Sequence, residues 1–563
     1  MYIDGRLNQH AHVTGMSKRR IPNNYTVRDF NKRTRRGVKM VARPRSPHGA
    51  LIPQFYAGRN IFITGATGFM GKVLIERLLS TCPNIGTLHL LMRHKKGVSP
   101  EKRLQQLKQS QVFDIIRQND PTQLDKLNFI PGDVSEPNFG ILPEYLLKLQ
   151  EVSIVFHSAA TLKFDEELQK AVEQNVLSVI RLMDICDTLP NMEALIHVST
   201  AYSNPELSTV EEKVYTPPMP LPRLLALIDA VPTNLLQDIT RQYIHPKPNT
   251  YTYTKAMAEE AVKTRPSRQY PVAIFRPTIV ISSFRHPFPG WVENLNGPSG
   301  VAAAAGKGVL HVFRRSPNMK ADLLPVDVAI DTLLAVAWET AVDKPTDVKV
   351  YNCSTTENPT TWSDFEMALK KYIPKFPLDA ALWYPSGTGV ENLYVHKTLH
   401  FILHTMPLYL AEYIFKTLGV KMGISLITAE RKMRAMNDVL SFFALRQWHF
   451  RTDNVKKLKL RLTPQDRMIY NLDPKSIDWD DQYKNFVIGT RKYLLKESDD
   501  NIPVAKRHLN RLYYIHKGVM LFSIVLFLRL LLQNKYIREI VYGTLRLLFS
   551  LISDGYTSIV SID

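Results

Sequence analysis

The amino-acid sequence predicts an α/β fold with a doubly wound parallel sheet, followed by a smaller, mostly helical C-terminal domain and apolar C-terminal helices. Three observations lead to this prediction. In residues 60–79 an apolar run is followed by a glycine-rich turn and then by a helical pattern. Predicted strands and helices alternate from residue 57 to about 200. Longer helical stretches begin near Asp364. Alternating βαβ units are typical of a parallel sheet covered by helices on both faces.

The first strand and helix flank three glycines in the stretch NIFITGATGFMGKVLIERLL, residues 60–79. Residues 61–64 are β-branched or aromatic, as in a buried parallel strand, and apolar residues recur at helical spacing after the turn. Glycine permits positive φ and close approach of a ligand, and a helix start favours a diphosphate. We therefore predict a phosphate cradle, with a plain strand-to-helix turn as the alternative. Its residues are Gly65, Thr67, Gly68, Phe69, Met70 and Gly71.

The residues after the second predicted strand, 88–91, indicate which dinucleotide would bind. Arg93, Lys95 and Lys96 follow this strand, and the stretch 87–97 contains no carboxylate. Folds that prefer NAD usually place Asp or Glu here to bind the ribose 2′-hydroxyl, whereas a guanidinium suits a 2′-phosphate. We therefore expect NADPH as the cofactor, with Arg93 and Lys96 among its ligands. A solvated basic loop is the alternative.

Further strands are predicted within residues 127–134, 152–160 and 191–204, which completes the βαβ pattern. From about Asp364 the pattern changes to longer helices rich in aromatic residues. Within this region the segment 398–415, TLHFILHTMPLYLAEYIF, is apolar enough to line a groove or to enter a bilayer surface.

The net charge of +20 is unevenly distributed. Residues 1–50 contain twelve Lys or Arg against Asp4 and Asp29, a net of +10, without apolar periodicity. We expect a basic, disordered arm over residues 1–54, which lacks the apolar core of a secretory signal. Contact of the arm with anionic lipid or nucleic acid is an alternative to a solubilising role, although no nucleic acid is expected as a partner of the protein.

The three cysteines, Cys82, Cys186 and Cys353, are far apart and form no C-x-x-C pair. This spacing predicts neither a disulfide framework nor a zinc site, and no metal is expected. A reducing compartment is favoured for the folded body.

Two apolar runs near the C-terminus, 518–532 and 540–552, predict membrane-associated segments over residues 513–552. Each run is shorter than the roughly 20 residues of a full span. A helical hairpin and two interfacial helices are therefore both open, and a buried helix of a soluble domain is the alternative. Because cations border both runs, we expect membrane association. The three reduced cysteines and the expected NADPH site should then face the cytosol, with the endoplasmic reticulum favoured over the peroxisomal membrane.

The stretch NTYTYTKAMAEE contains Tyr251 and Lys255, which share one face of a helix at i and i+4. A nearby ammonium lowers the pKa of a phenol, so that the phenol can donate a proton to a carbonyl oxygen. Thr200 follows a predicted strand at the ligand-binding edge of the sheet, where its hydroxyl can polarise the carbonyl, with Ser199 as its substitute. The alternative is that both hydroxyls bind only backbone groups.

Together, the glycine pattern, the strings GDV, HSAA, VSTAY and FRPTIV, and the Tyr251–Lys255 pair resemble the extended short-chain dehydrogenase/reductases. The strings TGATGFMGKVLIERLL, HSAATLKFDE, FPGWVENLNGPSG and ADLLPVDVAID closely resemble the fatty acyl-CoA reductases. The strings QWHFRTDNVKKL, IDWDDQY and GTRKYLLKE resemble the C-terminal domain of that family, so the resemblance covers roughly residues 55–500. The basic arm lies outside the family pattern.

The resemblance implies NADPH-dependent reduction of a long-chain acyl-CoA to a primary fatty alcohol through an aldehyde, with release of CoA. It implies a Rossmann NADPH-binding and catalytic domain over residues 55–363 and a helical domain over 364–500. Tyr251 would protonate the substrate oxygen, Lys255 would tune Tyr251 and bind the ribose, and Thr200 would polarise the carbonyl. Asp133 and Val134 would lie near the adenine, and Ala159 is expected in the cofactor site. The implied partners are a long-chain acyl-CoA and membrane lipid.

Two other functions share parts of this pattern. A hydroxysteroid dehydrogenase/isomerase or a nucleotide-sugar epimerase would also use Tyr251 and Lys255, although the helical region and the apolar tail argue against the epimerase. A non-enzymatic NADPH sensor would need no Tyr–Lys pair, and this chain contains one.

Overall fold

A seven-stranded parallel sheet forms the centre of the protein. The computed structural model describes residues 49–95, 97–265, 269–419, 425–536 and 538–547. The strands of this sheet are β1 (Asn60–Thr64), β2 (Leu88–Met92), β3 (Leu127–Pro131), β4 (Val152–His157), β5 (Ala194–Val198), β6 (Val272–Pro277) and β7 (Lys349–Cys353). Their spatial order is β7-β6-β5-β4-β1-β2-β3, with every neighbour parallel.

The order of the strands places a ligand crevice between β1 and β4. Successive strands are added outward in one direction from β1 to β3 and in the other from β4 to β7. In β1, Ile63 pairs with Leu90 of β2 and with Phe156 of β4. In open α/β sheets, ligands bind outside the carboxyl ends of the strands where the direction reverses. The predicted doubly wound sheet is therefore confirmed.

Helices cover both faces of the sheet and continue into the C-terminal region. The first half contains α1 (Leu51–Tyr56), α2 (Phe69–Thr81), α3 (Pro100–Lys108), α4 (Asp114–Asn119), α5 (Pro143–Lys148), α6 (Leu168–Val172), α7 (Ser178–Cys186), α8 (Leu221–Ala230), α9 (Thr233–Tyr243) and α10 (Thr250–Thr264). The second half contains α11 (Pro298–Gly306), α12 (Val326–Asp343), α13 (Trp362–Tyr372), α14 (Leu393–His400), α15 (Met406–Thr417), α16 (Leu426–Ala444), α17 (Asp453–Arg461), α18 (Pro464–Ile469), α19 (Trp479–Gly489) and α20 (Ile502–Gln533). A π-helical turn, Phe401–Thr405, joins α14 to α15.

Four pairs of short strands lie outside the main sheet. They are Thr209–Val210 with His449–Phe450, Ile279–Ile281 with Leu323–Pro325, Val312–Arg314 with Thr388–Val390, and Lys320–Ala321 with Thr360–Thr361.

The strand side chains alternate between two hydrophobic cores. Ile63 and Phe156 face the core on the side of α2 and α12, whereas Phe62 and Val155 face the core on the side of α7 and α10. All four are fully buried. Both faces of a parallel sheet are covered, so its strands are continuously apolar rather than alternating.

The helical C-terminal region is not a separate layer. The predicted boundary at Asp364 falls in the first turn of α13, because Thr361 caps that helix and its hydroxyl accepts from Asp364 N. Residues Leu458 and Tyr470 are buried in the same core as β1 and α2. Part of the region predicted as a second domain therefore packs back against the Rossmann sheet.

The N-terminal arm is shorter than predicted. Helix α1 buries Ile52 and Tyr56, and the carboxylate of Asp466 accepts hydrogen bonds from the backbone N–H groups of Leu51 and Ile52, both at 3.1 Å. The boundary set at residue 54 is therefore too late. Residues 1–48, which carry the charge of the arm, lie outside the described residues.

The first apolar run lies within the 32-residue helix α20. Among the described residues, one helix is long and apolar enough to cross a membrane: the stretch Asp499–Gln533 has an 18-residue window of mean hydropathy 1.9, none of it buried. The run alone is shorter than a full span, but the helix that contains it is long and apolar enough for one, so membrane association of this run stays a prediction. The second run is helical up to residue 547, and residues 548–563 lie outside the described residues.

Candidate active site

The glycine turn after β1 has a conformation that other residues would disturb. Gly65 has φ of +77°, and a Cβ atom there would lie 2.7 Å from the backbone nitrogen of Ala159. A Cβ atom on Gly71 would lie 2.3 Å from the carbonyl oxygen of Gly65. Gly68 occupies the N-cap of α2, so its neighbourhood presents the free N–H groups of the first helical turn. The turn therefore has the form of a cradle for an anionic group.

Thr64 at the end of β1 and His157 at the end of β4 connect the two strands that flank the glycine turn. His157 Nδ1 and the Thr64 hydroxyl are 2.8 Å apart, and the same hydroxyl accepts from Ala159 N at 3.2 Å. Burial lowers the pKa of His157 to about 3, so the imidazole is neutral at physiological pH. These contacts fix Ala159 beside Gly65.

A cavity of about 1040 Å³ opens at this edge of the sheet. It brings together every described residue predicted for the site. These are Gly65, Thr67, Gly68, Phe69, Met70, Gly71, Arg93, Asp133, Val134, Ala159, Ser199, Thr200, Tyr251 and Lys255. Lys96 lies outside the described residues. The structure thus places the candidate residues in one cavity, and their individual roles stay predictions.

Tyr251 and Thr200 form the hydroxyl pair of the cavity. Burial raises the pKa of Tyr251 to about 12, and a hydrogen bond with the Thr200 side chain opposes this shift. The ring of Phe164 packs edge-on against Tyr251, with 5.6 Å between the centroids. Tyr251 is therefore a neutral phenol near pH 7, in the protonation state of a proton donor.

Lys255 lies one helical turn after Tyr251 on α10 and is 3% exposed. Its Nζ donates a hydrogen bond to the carbonyl oxygen of Val198 at 2.9 Å. Burial lowers the pKa of Lys255 to about 8, and the carboxylate of Glu259 opposes the shift. A buried ammonium that titrates near neutrality can respond to small changes in the charge of its neighbours.

The hydroxyl of Ser199 contacts a buried ion pair between Glu259 and Arg276. Its hydroxyl donates to Glu259 Oε1 at 2.5 Å, and Glu259 also accepts from Arg276 at 2.9 Å and 2.6 Å. Glu259 and Arg276 are both buried. The structure therefore favours Thr200 over Ser199 as the hydroxyl that faces a substrate.

Two guanidinium groups lie beside the cradle. Arg93 forms an ion pair with Asp133 at 3.2 Å and has a half-exposed side chain. Arg103, on α3, donates to the Thr67 hydroxyl at 3.0 Å and to the carbonyl oxygen of Arg93 at 2.6 Å. Burial and the proximity of Arg93 both lower the pKa of Arg103. Two adjacent like charges favour an anionic ligand.

The cavity continues past Tyr251 into an apolar branch built by the helical region. The ring of Phe164 lies 5.8 Å from that of Phe443 on α16, and Tyr202 lies 5.4 Å from Phe443. The further apolar lining comes from Ile279, Phe313, Trp362, Phe365, Leu369, Ile373, Met436, Val439 and Leu440. The lining of the cavity thus combines cations beside the glycine turn with a large group of apolar side chains, which we call the apolar branch.

The comparisons with known proteins identify the family. Fatty acyl-CoA reductase 1 of Xenopus laevis is 37% identical over 505 residues, which cover 89% of this chain and 98% of that protein. The chain belongs to the fatty acyl-CoA reductase family. Fatty acyl-CoA reductase 2 of Bos taurus is 36% identical over 498 residues, covering 88% of this chain and 96% of that protein. The resemblance predicted from the sequence motifs is confirmed.

Two family models match separate parts of the chain. An NAD-binding model described as "Male sterility protein" matches residues 63–333, and a second model with the same description matches residues 403–497. Among solved structures, the terminal R domain from the myxalamid PKS-NRPS biosynthetic pathway has a TM-score of 0.49 and 16% identity, covering 78% of this chain and 93% of that chain.

The sequence analysis did not predict two residues of the site, Arg103 and Phe443. Arg103 lies ten residues after Arg93, on a helix whose alternating charges resemble a solvated surface. A signal was available, because Ser99 caps this helix and Pro100 follows it, which places Arg103 in the early turns next to the sheet edge. Phe443 gave no such signal, because it reaches the site from a distant helix.

Proposed function

We propose that the protein reduces a long-chain fatty acyl-CoA to a primary fatty alcohol, with NADPH as the reductant and an aldehyde as the intermediate. The observation that supports this best is the cavity itself. It runs from the glycine cradle, past Tyr251, Lys255 and Thr200, into the apolar branch. A dinucleotide fits the polar end and an acyl chain fits the apolar end, so that the reacting carbon lies between them.

The residues present fit NADPH. The N–H groups at the start of α2 would bind the diphosphate, because Gly65 and Gly71 permit the close backbone packing that gives the turn this form. Arg93 and Arg103 would bind the 2′-phosphate, with Asp133 and Val134 near the adenine. When bound, NADPH supplies hydride to the carbonyl carbon.

The first reduction converts the thioester to a hemithioacetal. Tyr251 gives its proton to the carbonyl oxygen as that oxygen gains negative charge, and Thr200 donates a hydrogen bond to the same atom. The ammonium of Lys255 stabilises the phenolate that remains, which offsets the burial that raises the pKa of Tyr251. Loss of CoA as its thiol leaves the aldehyde, and a second hydride and proton give the alcohol.

The membrane and the orientation complete the proposal. Helix α20 would anchor the enzyme, with its catalytic body in the cytosol, where NADPH and acyl-CoA are both present. The three cysteines are free and buried, which fits a reducing compartment. We propose the endoplasmic reticulum as the location, with the peroxisomal membrane as the alternative.

The test is the conversion of labelled acyl-CoAs of several chain lengths by membranes that contain the full-length protein and NADPH. We expect labelled alcohol and free CoA. Tyr251→Phe removes the proton donor and keeps the ring, so activity should fall by at least ~100-fold, the usual scale for losing general acid catalysis.

Tyr253→Phe is the matched control. Tyr253 lies on the same helix but packs against Tyr243 in the core on the other side. Its loss should leave the rate within about twofold of the wild type, because a hydroxyl remote from the reacting atoms takes no part in proton transfer. Full alcohol production by Tyr251→Phe would rule out the assigned role. Absence of any product, with NADPH still bound, would favour a sensor or another reductase.

A further inference from the structure

Residues 393–418, which contain α14, the π-helical turn and α15, present large apolar side chains to the exterior. We call these exposed apolar side chains the outer face. Six of its members, Tyr394, Phe401, Ile402, Met406, Leu410 and Tyr413, are between 46% and 78% exposed. Monomeric soluble proteins rarely expose a contiguous apolar surface of this kind, and such surfaces mark contacts with proteins or membranes.

The opposite side of the same helices is polar and buried. His396 contacts Asn437 of α16 at 2.7 Å, and His400 contacts Glu430 at 3.1 Å. Glu412, on α15, is also buried. A helix on a water-facing surface has its apolar stripe inward and its polar face outward. The polarity of this segment is reversed, which is the arrangement of helices whose outer solvent is lipid.

Residues 381–384, which lie shortly before the outer face in the sequence, contact the first half of α20. Trp383 Nε1 donates to His516 Nδ1 at 3.0 Å, and the ring of Tyr384 lies 5.1 Å from that of Tyr513. His508 contacts the carbonyl oxygen of Ala381 at 2.8 Å. The chain then runs through the short strand Thr388–Val390 into α14. The spanning helix and the outer face are thus connected through one short, anchored segment.

Exposed cations lie on the helical hairpin that residues 393–418 form with the antiparallel helix α16. Lys397 is on α14, and Arg431 and Lys432 are on the first turns of α16. Long basic side chains keep their charge at the headgroups while their stems cover apolar surface. Anionic lipid at a cytoplasmic leaflet attracts such charges. The charge pattern therefore matches a phospholipid surface.

We propose that the outer face lies in the interfacial layer of the bilayer that α20 enters, as a second membrane contact. The inner residues of α16, Met436, Leu440 and Phe443, line the apolar branch of the cavity. The hairpin would therefore place that branch next to the lipid, and an acyl chain would pass from the bilayer into the cavity. This last step rests on the proposed function, whereas the membrane contact does not.

The experiment uses single labels on the full-length chain. Cys82, Cys186 and Cys353 are buried, so an introduced exposed cysteine reacts selectively with a fluorescent maleimide. Phe401→Cys and Leu410→Cys place the label on the outer face. Leu460→Cys is the matched control, because Leu460 is 77% exposed and lies on α17, which packs against the Rossmann sheet.

Each labelled protein is reconstituted into vesicles of phosphatidylcholine and phosphatidylserine, with and without lipid that carries a quencher in its acyl chain. We expect a blue-shifted emission and severalfold quenching at positions 401 and 410, and neither at position 460. A thermal unfolding transition equal to that of the unlabelled wild type verifies that each variant is folded. The readout needs no catalysis, so failure of the proposed function would leave the result unchanged.

Two outcomes would overturn the proposal. Labels at 401 and 410 that remain as accessible to water as the label at 460 would exclude contact with lipid. Absence of quenching together with crosslinks between 401 and a second copy of the chain would show instead that the outer face joins two molecules.

Discussion

At the scale of single residues, the pKa values of Tyr251 and Lys255 are shifted in opposite directions. Burial raises the pKa of Tyr251 to about 12 and lowers the pKa of Lys255 to about 8. Each shift disfavours the charged form, because both groups leave water. Formation of a phenolate beside the ammonium would relieve both costs together. If Tyr251 is the proton donor that we propose, the ammonium of Lys255 would therefore favour proton transfer from Tyr251 to the substrate.

This coupling predicts the pH dependence. Lys255 supports the reaction as an ammonium, so kcat/KM should be constant below pH 8 and should fall as the pH rises through about 8. Lys255→Arg keeps a cation that stays protonated, so its lower activity should be flat from pH 7 to 9. Initial rates measured across this range give both profiles. The same falling limb in both enzymes would assign it to another group.

The basic pocket predicts cofactor selectivity. Arg103→Ala and Arg93→Ala should each weaken NADPH binding by about 1–3 kcal/mol, the scale of a lost hydrogen bond to a charged group. NADH binding should change little, because NADH has no 2′-phosphate. Titration of the protein with each cofactor measures both affinities.

Lys102→Ala is the control for these variants, because Lys102 is adjacent to Arg103 on α3 but is exposed and lies outside the cavity lining. It should bind both cofactors as the wild type does. Equal weakening of NADPH and NADH by Arg103→Ala would make Arg103 a structural residue that holds the turn through Thr67.

The residue scale also shows what the sequence reveals. Tyr251, Lys255 and Thr200 are predicted together because their types and spacing suit one chemical role, and the structure places all three in one cavity. Ser199 differs from Thr200 only through its bond with Glu259, and no local pattern reveals which hydroxyl turns away from the cavity. Side-chain direction at a strand end depends on tertiary partners, so it requires the structure.

At the scale of elements, the glycine turn gives a controlled test of the cradle. Gly58 and Gly65 both have positive φ, +71° and +77°, but only Gly65 has backbone atoms where a Cβ atom would be. Gly58→Ala should cost about 1–2 kcal/mol of stability from the left-handed conformation alone. Gly65→Ala should cost more and should also abolish NADPH binding. Thermal unfolding and NADPH titration separate the two effects.

A Gly65→Ala protein that binds NADPH as tightly as Gly58→Ala would contradict the assignment of the turn as a phosphate cradle.

The strands around this turn were predictable because buried parallel strands are continuous β-branched and apolar runs. The helices of the C-terminal region were predictable only as helices. Which of their faces is inward could not be read from periodicity, because residues 393–418 bury the polar side.

At the scale of the whole molecule, residues that are far apart in the sequence pack together across the Rossmann and helical regions. The sequence pattern changes near Asp364, yet Leu458 and Tyr470 are buried in the core of the Rossmann sheet, and Phe443 contacts Phe164, the aromatic neighbour of Tyr251. Such long-range contacts leave no periodic signal. They explain why the cavity spans both regions, so the proposed substrate site belongs to the assembled protein and to neither region alone.

The last prediction concerns the anchor. Helix α20 is fastened to the body by the buried residues Ala505, Leu509 and Leu512 and by His516, and its later residues contact no core. Deletion of residues 518–563 therefore removes most of the apolar part of α20 and keeps these contacts. If α20 is the anchor that we propose, the shortened protein should be extracted from membranes by carbonate and the full chain should resist extraction, because only the full chain has a helix long and apolar enough for a span.

Before the carbonate wash, the shortened protein should still sediment with vesicles through the outer face, and it should still reduce short acyl-CoAs, because Tyr251, Lys255 and Thr200 are intact. Sedimentation before and after the wash, with activity measured in each fraction, tests both statements. Resistance of the shortened protein to carbonate would transfer the role of integral anchor from α20 to residues 393–418. Loss of all vesicle binding would leave α20 as the sole attachment, and the acyl chain would then have to reach the cavity through water.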